Sequence, residues 1–146
     1  MFIKITVIYL VQIFLLFTII FRGADGCFIL SKVHVTFNSH LPANNHKPLV
    51  VHCWSSEDNL GSHILMSGQS WGFSFCQKPF KTKFICELHW NGFYINHLVA
   101  FNTMWFKDMC DKECMWKVTE QGATLQHGKF HFWDNYPPMS NSIPPI

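Results

Sequence analysis

Residues 50–61 read VVHCWSSEDNLG, and the change of character halfway along this stretch decides how the chain is built. Val50 and Val51 are β-branched and stiff at χ1, which suits a pleated strand. From Ser55 onward the residue types are those of a turn. Ser55, Ser56, Asp58 and Asn59 can hydrogen-bond their own backbone, and Gly61 tolerates positive φ. Cys53 stands where the two halves meet. The segment therefore reads as a strand, a covalent staple and a presented acidic loop.

The same pattern continues in both directions. Lys32–Asn38 alternates, with Val33, Val35 and Phe37 on one face. A Pro/Asn-rich loop, LPANNHKP, leads into Leu49–Trp54, and Ser62–Met66 is a short strand closed by a turn at Ser67–Gly68. Ser70–Cys76 places Trp71, Phe73 and Phe75 on one face, and Lys83–Trp90 places Phe84, Cys86 and Leu88 there. Asn91–Gly92 is a strong two-residue hairpin signal that joins this strand to Phe93–Phe101. Met115–Thr119 and Lys129–Trp133 follow, with a turn near Gln121–Gly122. After the N-terminal segment no 11-residue window carries a clear 3.6-residue apolar period, and Leu98–Trp105 comes nearest to a helical turn. Short strands broken by Gly, Pro, Asn and Ser predict an all-β antiparallel sandwich or barrel. The aromatics, about 150–250 Å² of buried surface each, supply its core.

The N-terminus sets the compartment. Lys4 precedes a 17-residue uncharged, mostly apolar run from Ile5 to Phe21, followed by Arg22 and the small-residue group Gly23, Ala24, Asp25 and Gly26. A basic n-region, an apolar h-region and small residues at −3 and −1 predict a secretory signal peptide over residues 1–26, cleaved before Cys27. The run is short for a spanning helix, which needs about 20 apolar residues. No second long apolar run follows, so no stable membrane insertion is expected after cleavage. The domain is expected over residues 27–136. Residues 137–146, with four prolines, read as a flexible tail.

Beyond residue 26 there remain nine lysines, no arginine and eight acids, a net charge of +1 with histidine neutral. The lysines are scattered, with Lys78, Lys81 and Lys83 the only loose group. Nucleic-acid binding is not expected, because phosphate recognition favours clustered cations and bidentate arginines. The six cysteines, Cys27, Cys53, Cys76, Cys86, Cys110 and Cys114, all follow the predicted cleavage site. An even count behind a signal peptide points to disulfides in an oxidising compartment, and six cysteines allow 15 pairings.

Catalytic and cofactor chemistry finds little support. Cys110-x3-Cys114 with His89, His97 or His127 offers thiolate and imidazole ligands. Secretion makes the two cysteines disulfide halves instead, and no metal or other cofactor is expected. A Cys/His hydrolase needs a free thiolate, an oriented base and oxyanion donors, and no nucleophile signature surrounds any cysteine. His34 and His52 lie opposite the apolar faces of their strands and read as solvent-side. Glu57 and Asp58 are adjacent in one loop, and their spacing sets no paired-carboxylate geometry. The glycines form no phosphate loop. No catalytic residue is assigned.

Three segments taken in order carry a resemblance. HCWSSEDNLG at 52–61 is followed by WGFSF at 71–75, FICELHW at 84–90 comes next, and CDKECMW at 110–116 precedes Gly122. With VHVTFN at 33–38 ahead of them, they resemble the plant self-incompatibility protein S1 family, the S-protein homologues, from about Val33 to Gly122. The resemblance implies a small secreted β-sandwich stabilised by disulfides, with a role as an extracellular recognition or signalling ligand. Pollen–pistil recognition is its best-known setting. Four cysteines match the family's core set, and the pairing expected with it nests Cys53 with Cys114 and Cys86 with Cys110. Cys27 and Cys76 depart from the pattern and form a third bridge, stay unpaired or pair between chains. A third bridge would add roughly 2–4 kcal/mol.

The function expected is recognition by loops on a rigid scaffold, without enzymatic activity. The candidate recognition loops are Ser55–Asn59, with Glu57, Asp58 and Asn59, and Asn102–Glu113, with Lys107, Asp108, Asp111 and Lys112. The expected partner is a cell-surface receptor and the expected state a monomer. The alternative is a secreted defence or effector-like protein that acts on membranes or microbes. Low net charge and the lack of a basic amphipathic helix weigh against it.

Overall fold

Strand alternation dominates the architecture. The computed structural model describes residues 2–22, 27, 31–105 and 109–136. The N-terminal apolar run forms α1 (Phe2–Arg22), whose side chains from Ile5 to Phe17 are exposed. Among the described residues no helix is long and apolar enough to cross a membrane. The predicted cleavage region at 23–26 and the predicted tail at 137–146 lie outside the described residues.

Nine strands follow among the described residues: β1 (Lys32–Ser39), β2 (Leu49–Trp54), β3 (Asn59–Leu65), β4 (Ser70–Cys76), β5 (Lys83–Trp90), β6 (Phe93–Asn102), β7 (Glu113–Thr119), β8 (Gly122–Leu125) and β9 (Phe130–Phe132). They form a five-stranded sheet, β4-β1-β7-β8-β9, and a four-stranded sheet, β3-β2-β5-β6. Among the described residues the regular structure outside α1 is all β apart from one 3₁₀ turn at Ala43–Asn45, as the residue pattern predicts. Inward residues of both sheets make one core. Val33, Val35 and Phe37 of β1 and Cys114, Trp116 and Val118 of β7 face Val51 and Cys53 of β2, Phe84, Cys86 and Leu88 of β5, and Ile95, Leu98 and Ala100 of β6. Trp71, Phe73 and Phe75 alternate as expected but are half-buried, because β4 is an edge strand.

Several boundaries differ from the sequence reading. β3 opens at Asn59, not Ser62, because Asn59 pairs with Trp54 across a bulge. The Leu98–Trp105 stretch is no helix. It continues β6 through Asn102 and then turns. β1 and β7 run parallel, an exception to an otherwise antiparallel sandwich. Parallel neighbours need a long crossover, and here that crossover contains all of β2–β6, so no local pattern announces it. β8 is too short and too plain, at GATL, to show alternation. Gly122 opens this strand directly after the Glu120–Gln121 turn, paired with Thr119. Its φ is +147°, and a Cβ there would lie 2.0 Å from the His131 carbonyl oxygen, so only glycine lets β9 approach. Trp133 closes this corner, its buried Nε1–H reaching the Thr119 and Glu120 carbonyls at 3.3 and 3.0 Å.

The disulfides are Cys27–Cys76, Cys53–Cys86 and Cys110–Cys114. The nested pairing of Cys53 with Cys114 and Cys86 with Cys110 is therefore wrong. Cys53 and Cys86 are directly opposed on β2 and β5, with Cα atoms 4.1 Å apart. Cys114 belongs to the other sheet, in register with Val35 of β1. Facing sheets stand about 10 Å apart, whereas opposed residues on paired strands stand about 4.5–5.5 Å apart. Register, not order along the chain, selects the partners.

Candidate functional site

The topology gathers loops that the sequence holds far apart. β2 and β6 end, and β5 begins, at one end of the sandwich, because β5 is antiparallel to both neighbours. β4 ends there too, since Cys76 pairs with Lys32 at the start of β1, and β7 begins there because it runs parallel to β1. This end therefore carries the Ser55–Asp58 turn, the 77–82 loop, the turn after Asn102 and the Asp111–Lys112 segment. The Cys27–Cys76 and Cys110–Cys114 bridges lie at the same end.

The acidic turn is built as its residue types suggest. Ser55 Oγ accepts from the amides of Glu57 and Asp58 at 3.2 and 3.0 Å, and the Ser55 amide donates to the Asp58 carbonyl at 2.7 Å. This serine-centred turn turns the exposed Glu57 and Asp58 away from β2. Asn59 is exposed beside this turn and also braces its surroundings. Its Oδ1 accepts from the Gly61 amide and bonds His52 Nε2, both at 2.9 Å.

Facing the turn are lysines that the sequence reading noted only as a loose group. Lys78 Nζ donates to Glu57 Oε2, and Lys81 Nζ stands 3.9 Å from Oε1. A small open cleft of ≈ 170 Å³ lies between the turn and this loop, floored by Phe75 and Phe84. Thr103 ties the next turn in, its Oγ1 reaching the Thr82 and Lys78 carbonyls at 3.0 and 3.4 Å. Lys129 lies 4.3 Å above the Trp105 ring, and burial lowers its pKa.

Asp111 and Lys112 are exposed at this end, held through the Lys112 carbonyl, which accepts from the His34 amide at 2.8 Å. Lys107 and Asp108 lie outside the described residues. The structure thus brings Glu57, Asp58, Asp111 and Lys112 to one end and adds Lys78 and Lys81 to the constellation. The signal for that addition was the isolated lysine group beside an isolated acidic turn, and only the fold joins them.

The charges set a pH dependence. The hydrogen bond and charge of Lys78 hold the Glu57 carboxyl below its ordinary value of 4.5. The folded state thus gives up this proton more readily than the unfolded chain. The contribution of the pair is complete above the ordinary glutamate range and is lost as the pH falls through the lowered value. An NMR titration should place the Glu57 midpoint below 4.5, and Lys78→Met should return it towards that value. An unmoved midpoint in Lys78→Met would remove Lys78 as the cause.

Two arrangements bear on chemistry. Cys110 and Cys114, weighed as zinc ligands, are bridged to each other. Ser74 Oγ bonds His34 Nδ1, and Glu113 stands opposite His34 on the far side of β1. The three form a polar row on the outer face of the five-stranded sheet. Acyl transfer also needs oxyanion donors converging on the reacting point, and the amides of β1 beside this row are engaged with β4 and β7.

Comparison with known proteins agrees with the motif order. The family model described as plant self-incompatibility protein S1 matches residues 34–137. The chain is 36% identical to S-protein homolog 8 of Arabidopsis thaliana over 101 residues, covering 67% of this chain and 74% of that protein. Against S-protein homolog 2 of the same plant it is 32% identical over 131 residues, covering 83% and 76%. Against Self-incompatibility protein S1 of Papaver rhoeas it is 27% identical over 99 residues, covering 63% and 68%. No solved structure matches it.

Proposed function

This chain belongs to the plant self-incompatibility protein S1 family, and from that membership we propose that it is a secreted, non-enzymatic recognition ligand read by a protein receptor on a cell surface. Residues 1–26 act as the signal peptide, and the remainder acts as a monomer. The exposed apolar surface of α1 and the three disulfides support export. One observation carries the recognition reading. An acidic turn and a lysine loop meet at one end of the sandwich, the Asp111–Lys112 segment lies at the same end, and so do two of the three bridges. Binding residues concentrate on loops that a rigid scaffold positions. The absence of arginine beyond residue 26 leaves no basis for nucleic acid as partner.

The test is saturable binding of labelled protein, lacking residues 1–26, to plant cells before and after surface proteolysis. Binding is expected to vanish after proteolysis. It should weaken about tenfold or more, the cost of roughly 1.4 kcal/mol, in a variant carrying Glu57→Lys, Asp58→Lys and Lys112→Glu. Unchanged binding by that variant, or leakage of liposomes at the same concentrations, would overturn the proposal.

A further inference from the structure

The four-stranded sheet has an outer face that no other described element covers. Val50, His52 and Trp54 of β2, Lys83, Ile85 and Glu87 of β5, and His97 and Val99 of β6 point to it, opposite the buried residues of the same strands. Where this face meets the Ser55–Ser56 turn it holds an open groove of ≈ 390 Å³, lined by Trp54, Ser55, Ser56, Lys81, Lys83 and Ile85. Trp54 and Ile85 are direct partners across β2 and β5 and make an apolar floor. The indole is held in place. The His52 ring lies 5.2 Å from it, and the His97 ring meets it edge-on at 6.4 Å. His52 is itself fixed by Asn59 Oδ1 at 2.9 Å and by Glu87, 3.9 Å away.

The groove also carries positive charge that is only partly compensated. Lys83 is exposed and makes no ion pair among the described residues. Lys81 stands 3.9 Å from the Glu57 carboxylate, which Lys78 engages more closely. A flat aromatic floor, two ammonium groups at its rim and two serine hydroxyls beside them are complementary to a ring with an apolar face, a carboxylate and several hydroxyls. We propose that this groove binds an acidic carbohydrate, one uronate unit of a carboxylated polysaccharide. The C–H face of the sugar would lie on Trp54, its carboxylate between Lys81 and Lys83, and its hydroxyls towards Ser55 and Ser56. Charge-assisted contacts of this kind are the stronger class of hydrogen bond. An open groove passes a chain through, where a closed pocket would hold only its end.

An acidic peptide is the weaker fit. Peptides that bind sheets do so by adding a strand to an edge. The floor lies on β2 and β5, both interior strands with ladders on two sides. The face therefore offers stacking and charge but no backbone pairing. The groove adjoins the receptor-reading end and shares the Ser55–Ser56 turn and Lys81 with it, but the two are tested at different residues, Glu57, Asp58 and Lys112 for that reading and Trp54 and Lys83 for this one.

The test is calorimetric titration with galacturonate oligomers, with cello-oligomers of equal length as the neutral sugar and polyglutamate as the polyanion without sugar. Galacturonate is expected to bind and to weaken as salt is raised. Lys83→Glu and Trp54→Ala should each reduce its affinity at least about tenfold, a change worth roughly 1.4 kcal/mol. Lys83→Glu alters an exposed side chain at the start of β5, so it keeps the test valid if Trp54→Ala unfolds. Absent galacturonate binding, equal binding of polyglutamate, or unchanged affinity in Lys83→Glu would overturn the proposal. Each of these results leaves the cell-binding result to stand or fall separately.

Discussion

Replacing Cys53 and Cys86 together by alanine is expected to lower the stability of the domain by about 3–4 kcal/mol, the chain-entropy value for a loop of this length. The bridge joins residues 33 apart in sequence, and both sulfurs are fully buried. Small domains hold about 5–15 kcal/mol in all, so the loss should consume a large share of it. Thermal unfolding followed by circular dichroism should show a Tm lower by roughly 10–20 °C, because a domain of this size falls between about 4–8 °C per kcal/mol for 60–100 residues and about 2–4 °C for 150–250. Secreted yield should fall with it. The same material settles the pairing. Peptide mapping without reduction should recover a Cys53–Cys86 fragment from the unaltered protein and a retained Cys110–Cys114 fragment from the double variant. A Cys53–Cys114 fragment, or an unchanged Tm, would sink the register argument.

Trp116→Ala is expected to cost about 3–5 kcal/mol, the range for removing a large buried aromatic. Trp116 is fully buried on β7, its ring 6.4 Å from that of Phe37 on the neighbouring β1. Its Nε1–H donates to the Ala100 carbonyl of β6 at 3.1 Å, so this side chain joins the two sheets by packing and by a hydrogen bond. Trp116→Phe keeps most of the apolar contact and drops only the donor. Its cost should be smaller, roughly 0.5–1.5 kcal/mol for a net hydrogen bond plus the lost volume. Denaturant midpoints of the three proteins measure both terms. Equal midpoints for Trp116→Ala and the unaltered chain would show that the sheets do not depend on this contact.

The difference between these two predictions marks what could be read from residues alone. Trp116 declares itself by alternation: Cys114, Trp116 and Val118 share a face, and all three are buried. The same period-two rule places β2, β4 and β5 at their observed bounds, because a strand with one buried face repeats every second residue whatever surrounds it. The Asn91–Gly92 hairpin is equally local, with φ of +48° and +84° at the two turn residues. The Cys53–Cys86 bridge is different. Nothing within either strand says that β2 lies beside β5, so the pairing expected for these cysteines failed although both strands were placed correctly. The parallel β1–β7 pair and the four-residue β8 were illegible for the same reason: one depends on a crossover as long as the rest of the fold, the other on a partner strand.

The candidate site divides along the same line. Ser55 and Asp58 make the turn that their chemistry predicts, because a hydroxyl bonding nearby amides needs no distant partner. The order of motifs around them was enough to indicate the S1 family. Only tertiary structure set Lys78 against Glu57 across 21 residues of sequence, placed the exposed Asn59 against His52, and left Trp54 and Lys83 together on an open face. VVHCWSSEDNLG by itself thus determined a strand, from its stiff β-branched residues, and a turn, from side chains that bond nearby amides, while the half-cystine followed from the even cysteine count of the chain. Which strand Cys53 is stapled to, and which charges the turn meets, depended on register and loop convergence, properties of the packed sheets that no single segment contains.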